Sequence, residues 1–239
     1  MKYLSILFFT LSLFGCTTPQ KKLAPQTILQ RSILKHDPNT IWATSNIQLH
    51  IQEPRLSNPH RYSVLKMNNN NHSFELLRNR DSAVSKHSID TLGYATTLLN
   101  NQVITDTTVI KKYKLQPERN ILYQKFYYHL IGLPMSLDNA SIKEYGTVTF
   151  QKFNAKNSFK LPIELKEKII SKHWNLFIDQ NDYILLGLEI VFPNDLAKGE
   201  RLYFDGEINI NTLKIPRIRH WHEYDTNDYS GSDIIIKAL

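Results

Sequence analysis

Along most of the chain apolar and polar residues alternate with a period of two, which is the signature of half-buried antiparallel strands. The pattern predicts strands around Ile47/Leu49/Ile51, Tyr62/Val64 and Phe74/Leu76, then over Ala83 to Thr91, Tyr94 to Leu99 and Gln102 to Asp106. It resumes with Val148/Phe150, Phe159 to Leu165, Trp174/Leu176/Ile178, Tyr183 to Phe192, Arg201 to Ile210 and Lys214 to Tyr224. Asn68 to Asn71 and Asn100-Asn101 punctuate these runs as turns, because asparagine tolerates left-handed backbone. The strand from Tyr183 is apolar on both faces: Ile184, Leu186, Leu188, Ile190 and Phe192 share one, and Leu185 and Val191 belong to the other, so it is expected to be covered on both sides. The strand from Arg201 alternates cleanly, Leu202, Phe204, Ile208 and Ile210 against Arg201, Asp205, Glu207 and Asn209.

Two segments carry helical spacing instead. In Gln26 to His36, Ile28, Leu29 and Ile33 share a face with Ser32 and His36, and Asp37-Pro38 stops the helix. Between Thr107 and Leu133, Pro117 suits a first turn and Gly132 with Pro134 an end. A helix of about four turns over Glu118 to Ile131 places Leu122, Phe126 and Leu130 on one stripe, with Tyr123 and Tyr127 beside it.

The N-terminus has a different logic. Met1-Lys2 precedes an apolar run from Tyr3 to Phe14, long enough for an export signal and too short for a stable membrane span. The run ends in Leu13-Phe14-Gly15-Cys16, which resembles the lipobox of bacterial lipoproteins; Phe14 stands where that pattern prefers Ala or Ser. The resemblance implies a signal peptide over 1–15, cleaved after a diacylglycerol is attached to the Cys16 thiol. Cys16 is the one cysteine of the chain, so no intrachain disulfide can form and stability must come from the hydrophobic core. Residues 16–24 then form a lipidated cysteine and polar tether, reaching roughly 25–30 Å when extended, and 25–239 a single domain. By the same resemblance, Thr17 lacks the acidic side chain that in the best-studied sorting systems retains lipoproteins at the inner membrane, and the tether lacks the acidic cluster that some envelopes use for export to the cell surface. A domain anchored at the outer membrane and facing the periplasm is expected.

Composition narrows the classes. Hydrophobic residues make up 41% of the chain and aromatics 11%, enough for a core and against disorder. The net charge of +7 comes from scattered residues rather than a basic stripe, which argues against nucleic acid and for mild attraction to anionic membranes. With eight glycines and no Gly-x-Ser-x-Gly, His-Glu-x-x-His or phosphate-binding loop, no familiar catalytic signature stands out and no cofactor is implied.

A leading helix, a run of strands, a helical insertion and a second meander together resemble the lipoprotein-carrier (LolA/LolB-like) fold. More narrowly, His36-Asp37-Pro38, the stretch Tyr-His-Leu-Ile-Gly-Leu-Pro from Tyr128 to Pro134, Ile-Pro-Arg-Ile-Arg-His-Trp from Ile215 to Trp221, and Gly231-Ser-Asp are similar to an uncharacterised family of bacterial envelope lipoproteins. The resemblance implies an α+β, β-rich domain: an incomplete antiparallel β-barrel of about 11 strands with helices covering its concave face. It also implies a cavity for acyl chains or another hydrophobic molecule. Tyr123, Phe126, Tyr127, Trp174 and Tyr183 are the candidate lining residues, although filling the core is the commoner role for any one of them.

Two other functions compete with a binding module. A scaffold or accessory subunit would dock an envelope protein through a sheet edge or apolar patch. An enzyme would rest on His220-Trp221-His222-Glu223, whose two histidines project from one face of a strand and could supply two zinc ligands. A third ligand would come from His36, His129 or His173, and the spacing does not choose among them.

Overall fold

A computed structural model describes residues 23–80, 82–138 and 140–239. Cys16, the lipobox and most of the tether lie outside the described residues. The chain opens with helix α1 (Pro25–His36) and continues through five strands, β1 (Asn46–Gln52), β2 (Tyr62–Asn68), β3 (Ser73–Arg80), β4 (Ala83–Ile89) and β5 (Ala95–Leu99). Two helices follow, α2 (Thr107–Tyr113) and α3 (Glu118–Ile131). The remainder is β6 (Ile142–Tyr145), β7 (Thr149–Phe153), β8 (Lys156–Leu165), β9 (His173–Asp179), β10 (Leu185–Val191), β11 (Glu200–Ile210), β12 (Leu213–Glu223) and β13 (Tyr229–Ala238). Among the described residues no helix is long and apolar enough to cross a membrane.

All thirteen strands belong to one antiparallel sheet in the order β5-β4-β3-β2-β1-β13-β12-β11-β10-β9-β8-β6, with β7 also pairing β8. β5 and β6 are not paired with each other, so the barrel stays open, as the resemblance implies. The long-range pairing of β1 with β13 stitches the two meanders together at the centre of the sheet. Helix α3 bridges them on the concave side: Leu130 packs with α1 and β8–β12, Tyr127 and Ile131 pack with β1–β4 and β12–β13, and Phe126 touches both groups.

Both helices with helical spacing form where the pattern places them. The C-terminus of α1 is held by His36, whose Nδ1 donates to the Lys214 carbonyl (2.6 Å) while Nε2 accepts from the Leu185 amide (3.0 Å). That pair of bonds fixes a neutral ring, and burial pushes its pKa down. Asp37 accepts from the amides of Ile41 and Trp42, so His36 clamps α1 to the sheet while Asp37 orders the turn that leaves it.

The structure corrects several local expectations. Gln102 to Asp106 is not a strand; Gln102 makes one bridge to Leu99, and Asp106 instead caps α2 by accepting from the amides of Thr108 and Val109. In β2 the face turned to the core is Ser63, Leu65 and Met67, with Tyr62 and Val64 half-buried on the other side. In β10 a register shift between Leu185 and Gly187 turns Leu185 inward with Leu188 and Ile190. Leu186 turns outward against Phe153 and Phe177. The strand is covered on both sides as expected, but its faces are divided differently. β6 and β13 add strands that the alternation does not single out.

Candidate functional site

Where α3 crosses the junction of the two meanders, it leaves an open cavity of about 500 Å³ above the sheet. One wall is the helix, contributing Arg119, Leu122, Tyr123, Phe126 and Tyr127; Ile169 and Ile170 of the β8–β9 connection form another. The Lys125–Glu167 ion pair (2.6 Å) joins the helix to that connection. Leu122 is 56% exposed and stands at the opening, not in the core stripe expected for it. Trp221 of β12 stacks beside Phe126, ring centroids 6.4 Å apart.

The floor is not apolar. Glu53, at the end of β1, accepts from Arg61 Nε (3.0 Å), Ser63 Oγ (2.6 Å), Arg78 Nη2 (2.9 Å) and the Tyr127 hydroxyl (2.9 Å). Burial alone would raise the Glu53 carboxyl, but the Arg78 and Arg61 guanidiniums and the hydrogen bonds from Ser63 and Tyr127 hold it down at about 2. Arg78 completes its shell with Ser63 Oγ and the Tyr127 oxygen. Beside this network Asp233 of β13 accepts from Arg55 Nη2 (2.7 Å) and from the Trp221 indole nitrogen (2.8 Å). Arg55 is further bound by the Ser232 carbonyl (2.6 Å). Gly231 makes that docking possible, since a Cβ there would run into the Arg55 side chain and stand 2.7 Å from the Pro54 carbonyl.

At the rim, burial and the neighbouring Glu223 carboxylate push Glu200 up to about 7, against the opposing pull of Arg55. Lys114, Arg119 and Lys198 add positive charge around the cavity, so basic residues outnumber acidic ones among its lining. The arrangement can do two things at once: cover an aliphatic or aromatic group between α3 and the 169–170 segment, and present cations at its base.

Of the five expected lining residues, the structure brings together Tyr123, Phe126 and Tyr127. Trp174 lies elsewhere, buried in the core under α1 and α3 with its indole nitrogen donating to the Ser171 carbonyl. Tyr183 is also distant, stacked on Phe159 and receiving a hydrogen bond from Arg31 of α1. Both belong to the half of the sheet that α1 covers, away from the cavity.

The histidine pair of β12 faces away from the cavity, since Arg219 and Trp221, the residues alternating with it, take the concave positions. His220 Nδ1 bonds to Ser232 Oγ and His222 Nδ1 to the Asn227 carbonyl. His36 is engaged in the α1 clamp and His129 sits edge-on to Trp174, with burial lowering its pKa to about 4. His173 begins β9. Among the described residues, no three His, Cys, Asp or Glu side chains converge as a metal site.

An open antiparallel sheet, a helix laid over its concave side and a cavity beneath that helix define a LolA-like fold. The chain is similar to a LolA superfamily protein from Nitrosomonas europaea (TM-score 0.52, 8% identity, covering 91% of this chain and 93% of that one). It is likewise similar to a putative outer membrane lipoprotein-sorting protein domain from Vibrio parahaemolyticus (TM-score 0.51, 11% identity, 90% and 93% covered). No curated protein matches the sequence. By sequence the chain belongs to the family of unknown function DUF6503, whose match spans residues 2–237.

Proposed function

We propose that this protein is an envelope lipoprotein, anchored through Cys16 and facing the periplasm from the outer membrane, that binds a hydrophobic ligand in the cavity under α3. The observation carrying the proposal is the cavity itself: about 500 Å³, open to solvent, with Leu122, Phe126, Ile169, Ile170 and Trp221 able to cover an acyl chain. That volume lies within the ordinary range for small-molecule sites. The LolA-like fold and the lipobox at Leu13 to Cys16 support the reading from independent directions.

The test uses the mature chain from residue 16, carrying Cys16→Ala and exported behind a signal peptide that is cleaved without lipidation. After lipid extraction it is expected to bind a fluorescent fatty-acid probe at micromolar levels, and Phe126→Asp is expected to weaken that binding at least tenfold. Native mass spectrometry before extraction is expected to show a co-purifying amphiphile. Absence of probe binding up to the solubility limit would sink the proposal. A stable envelope complex without extractable lipid would point instead to a scaffold.

A further inference from the structure

Arg219 of β12 is fully buried, and none of its three guanidinium nitrogens has a hydrogen-bond partner. Its position between Ile218 and His220 on the concave side sets it directly opposite Asp233 in the β12–β13 ladder. Asp233 is nevertheless occupied, Oδ1 by Arg55 and Oδ2 by the Trp221 indole. The other carboxylate of the floor, Glu53, is saturated by four donors. What Arg219 meets is the Phe204 ring, 5.8 Å from its guanidinium carbon. An enclosed cation without an acceptor strongly opposes folding. Burial lowers the Arg219 pKa to about 10, which leaves it charged at neutral pH.

The imbalance extends to the cavity beside it. Arg55, Arg61, Arg78, Lys114, Arg119 and Lys198 line it against Glu53, Glu200 and Asp233. A cleft with low-dielectric walls and a surplus of one charge sign concentrates ligands of the opposite sign. Arg55 is the member of this set that links the cavity to Arg219: its side chain is 21% exposed and it pairs with Asp233, the carboxylate opposite Arg219 in the ladder.

We propose that the ligand is an amphiphile with an anionic head, a carboxylate or a phosphate, which pairs with Arg55 at the floor while its chain lies along Phe126, Leu122, Ile169 and Ile170. As the head draws Arg55 away, Asp233 pairs across the ladder with Arg219, so one exchange of partners leaves each of these charges matched. Arg219 is then a positioning residue that favours the anion-bound state without touching the ligand. The inference rests on the cavity being the binding site, as proposed above.

The experiment measures displacement of a neutral fluorescent probe, N-phenyl-1-naphthylamine, from the same mature Cys16→Ala chain. The competitors are decanoate, decyl phosphate, 1-decanol and inorganic phosphate, each below its aggregation concentration. Decanoate or decyl phosphate is expected to displace the probe at least tenfold more effectively than decanol, and the stronger of the two identifies the head. Arg219→Met is expected to reduce that preference to less than threefold while leaving decanol unchanged and the melting temperature equal or higher. Arg55→Gln, which frees Asp233 for Arg219 and so should fold, is expected to lose the preference as well. Equal displacement by decanol and the anions overturns the headgroup while leaving the cavity standing. Displacement by inorganic phosphate at the concentration of decyl phosphate overturns the amphiphile. Failure of the probe and all competitors to bind overturns both this inference and the binding function. Destabilisation by Arg219→Met with the anion preference intact overturns the role of Arg219.

Discussion

Arg78 and Arg219 are two guanidiniums enclosed beneath the same helix, and their surroundings give opposite consequences for mutation. Arg78 is satisfied by Glu53, Ser63 and Tyr127, so removing its carboxylate leaves a buried cation without its counter-charge. Glu53→Gln is expected to lower the unfolding free energy by about 3–5 kcal/mol at pH 7, read from urea denaturation. The sign with pH follows from the direction of the shift: the Glu53 carboxyl lies at about 2, below its ordinary 4.5. Its contribution is full above about pH 4.5 and disappears as the pH falls toward 2, where the native and Glu53→Gln stabilities should converge. Persistence of the difference at pH 2 would refute the assignment. Glu200 behaves in the reverse sense. Its carboxyl is raised from 4.5 to about 7 by burial and by Glu223, so the fold favours the protonated form and loses stability as pH rises from about 4.5 through 7. Glu200→Gln is expected to stabilise the protein by on the order of 2 kcal/mol at pH 8 and to leave it unchanged at pH 4, as thermal melts at the two pH values would show.

Strand β10 shows what an element can hide from its sequence. Gly187 follows the register shift, and a Cβ there would fall on the Leu202 carbonyl and 2.5 Å from Cε1 of Phe153. Phe153 stacks on Phe177 with ring centroids 3.8 Å apart and on Tyr203 at 4.8 Å, forming an outer aromatic layer that holds the β7 hairpin to the sheet. Gly187→Ala is expected to cost about 2 kcal/mol by overpacking and to reduce amide-exchange protection in Thr149–Phe153. Adding Phe153→Ala should recover part of the clash, making the pair less than additive; full additivity would show that the ring is not the obstacle. No local alternation foretells the shift, because it is decided by the ladders with β9 and β11. Helices α1 and α3 are legible because their periodicity is bounded by Pro and Gly. Helix α2 is not: none of its residues is fully buried, and its one signal is the Asp106 cap. The floor of the cavity is obscure for a related reason. Glu53, Arg78, Arg219 and Asp233 are spread along the chain and read one by one as surface charges until the β1–β13 pairing gathers them. The segments around Arg219 and Gly231-Ser-Asp, which carry the resemblance to envelope lipoproteins, lie in the structure beside Arg55 and Asp233.

At the scale of the whole molecule, the sheet joins its first and last strands at the centre, so the cavity depends on the chain being complete through β13. The anchor proposed at Cys16 would determine where that cavity works. If residues 17–24 serve as its tether, they would reach roughly 25–30 Å when extended, and the chain's charge of +7 would favour an anionic bilayer. Electrostatics and lipid are separable, since exposed charges are screened within about 3 Å at 1 M salt whereas buried acyl chains are not. The native protein is therefore expected to incorporate an alkyne palmitate analogue and to sediment with membranes in 1 M salt. The Cys16→Ala chain, exported behind a signal cleaved without lipidation, is expected to remain unlabelled and to stay in the soluble fraction at that salt, binding anionic vesicles only at low ionic strength. Salt-resistant sedimentation of the Cys16→Ala chain would show that the domain itself holds the membrane. The cavity would then meet its ligand through direct insertion of the fold and not through a lipid on Cys16.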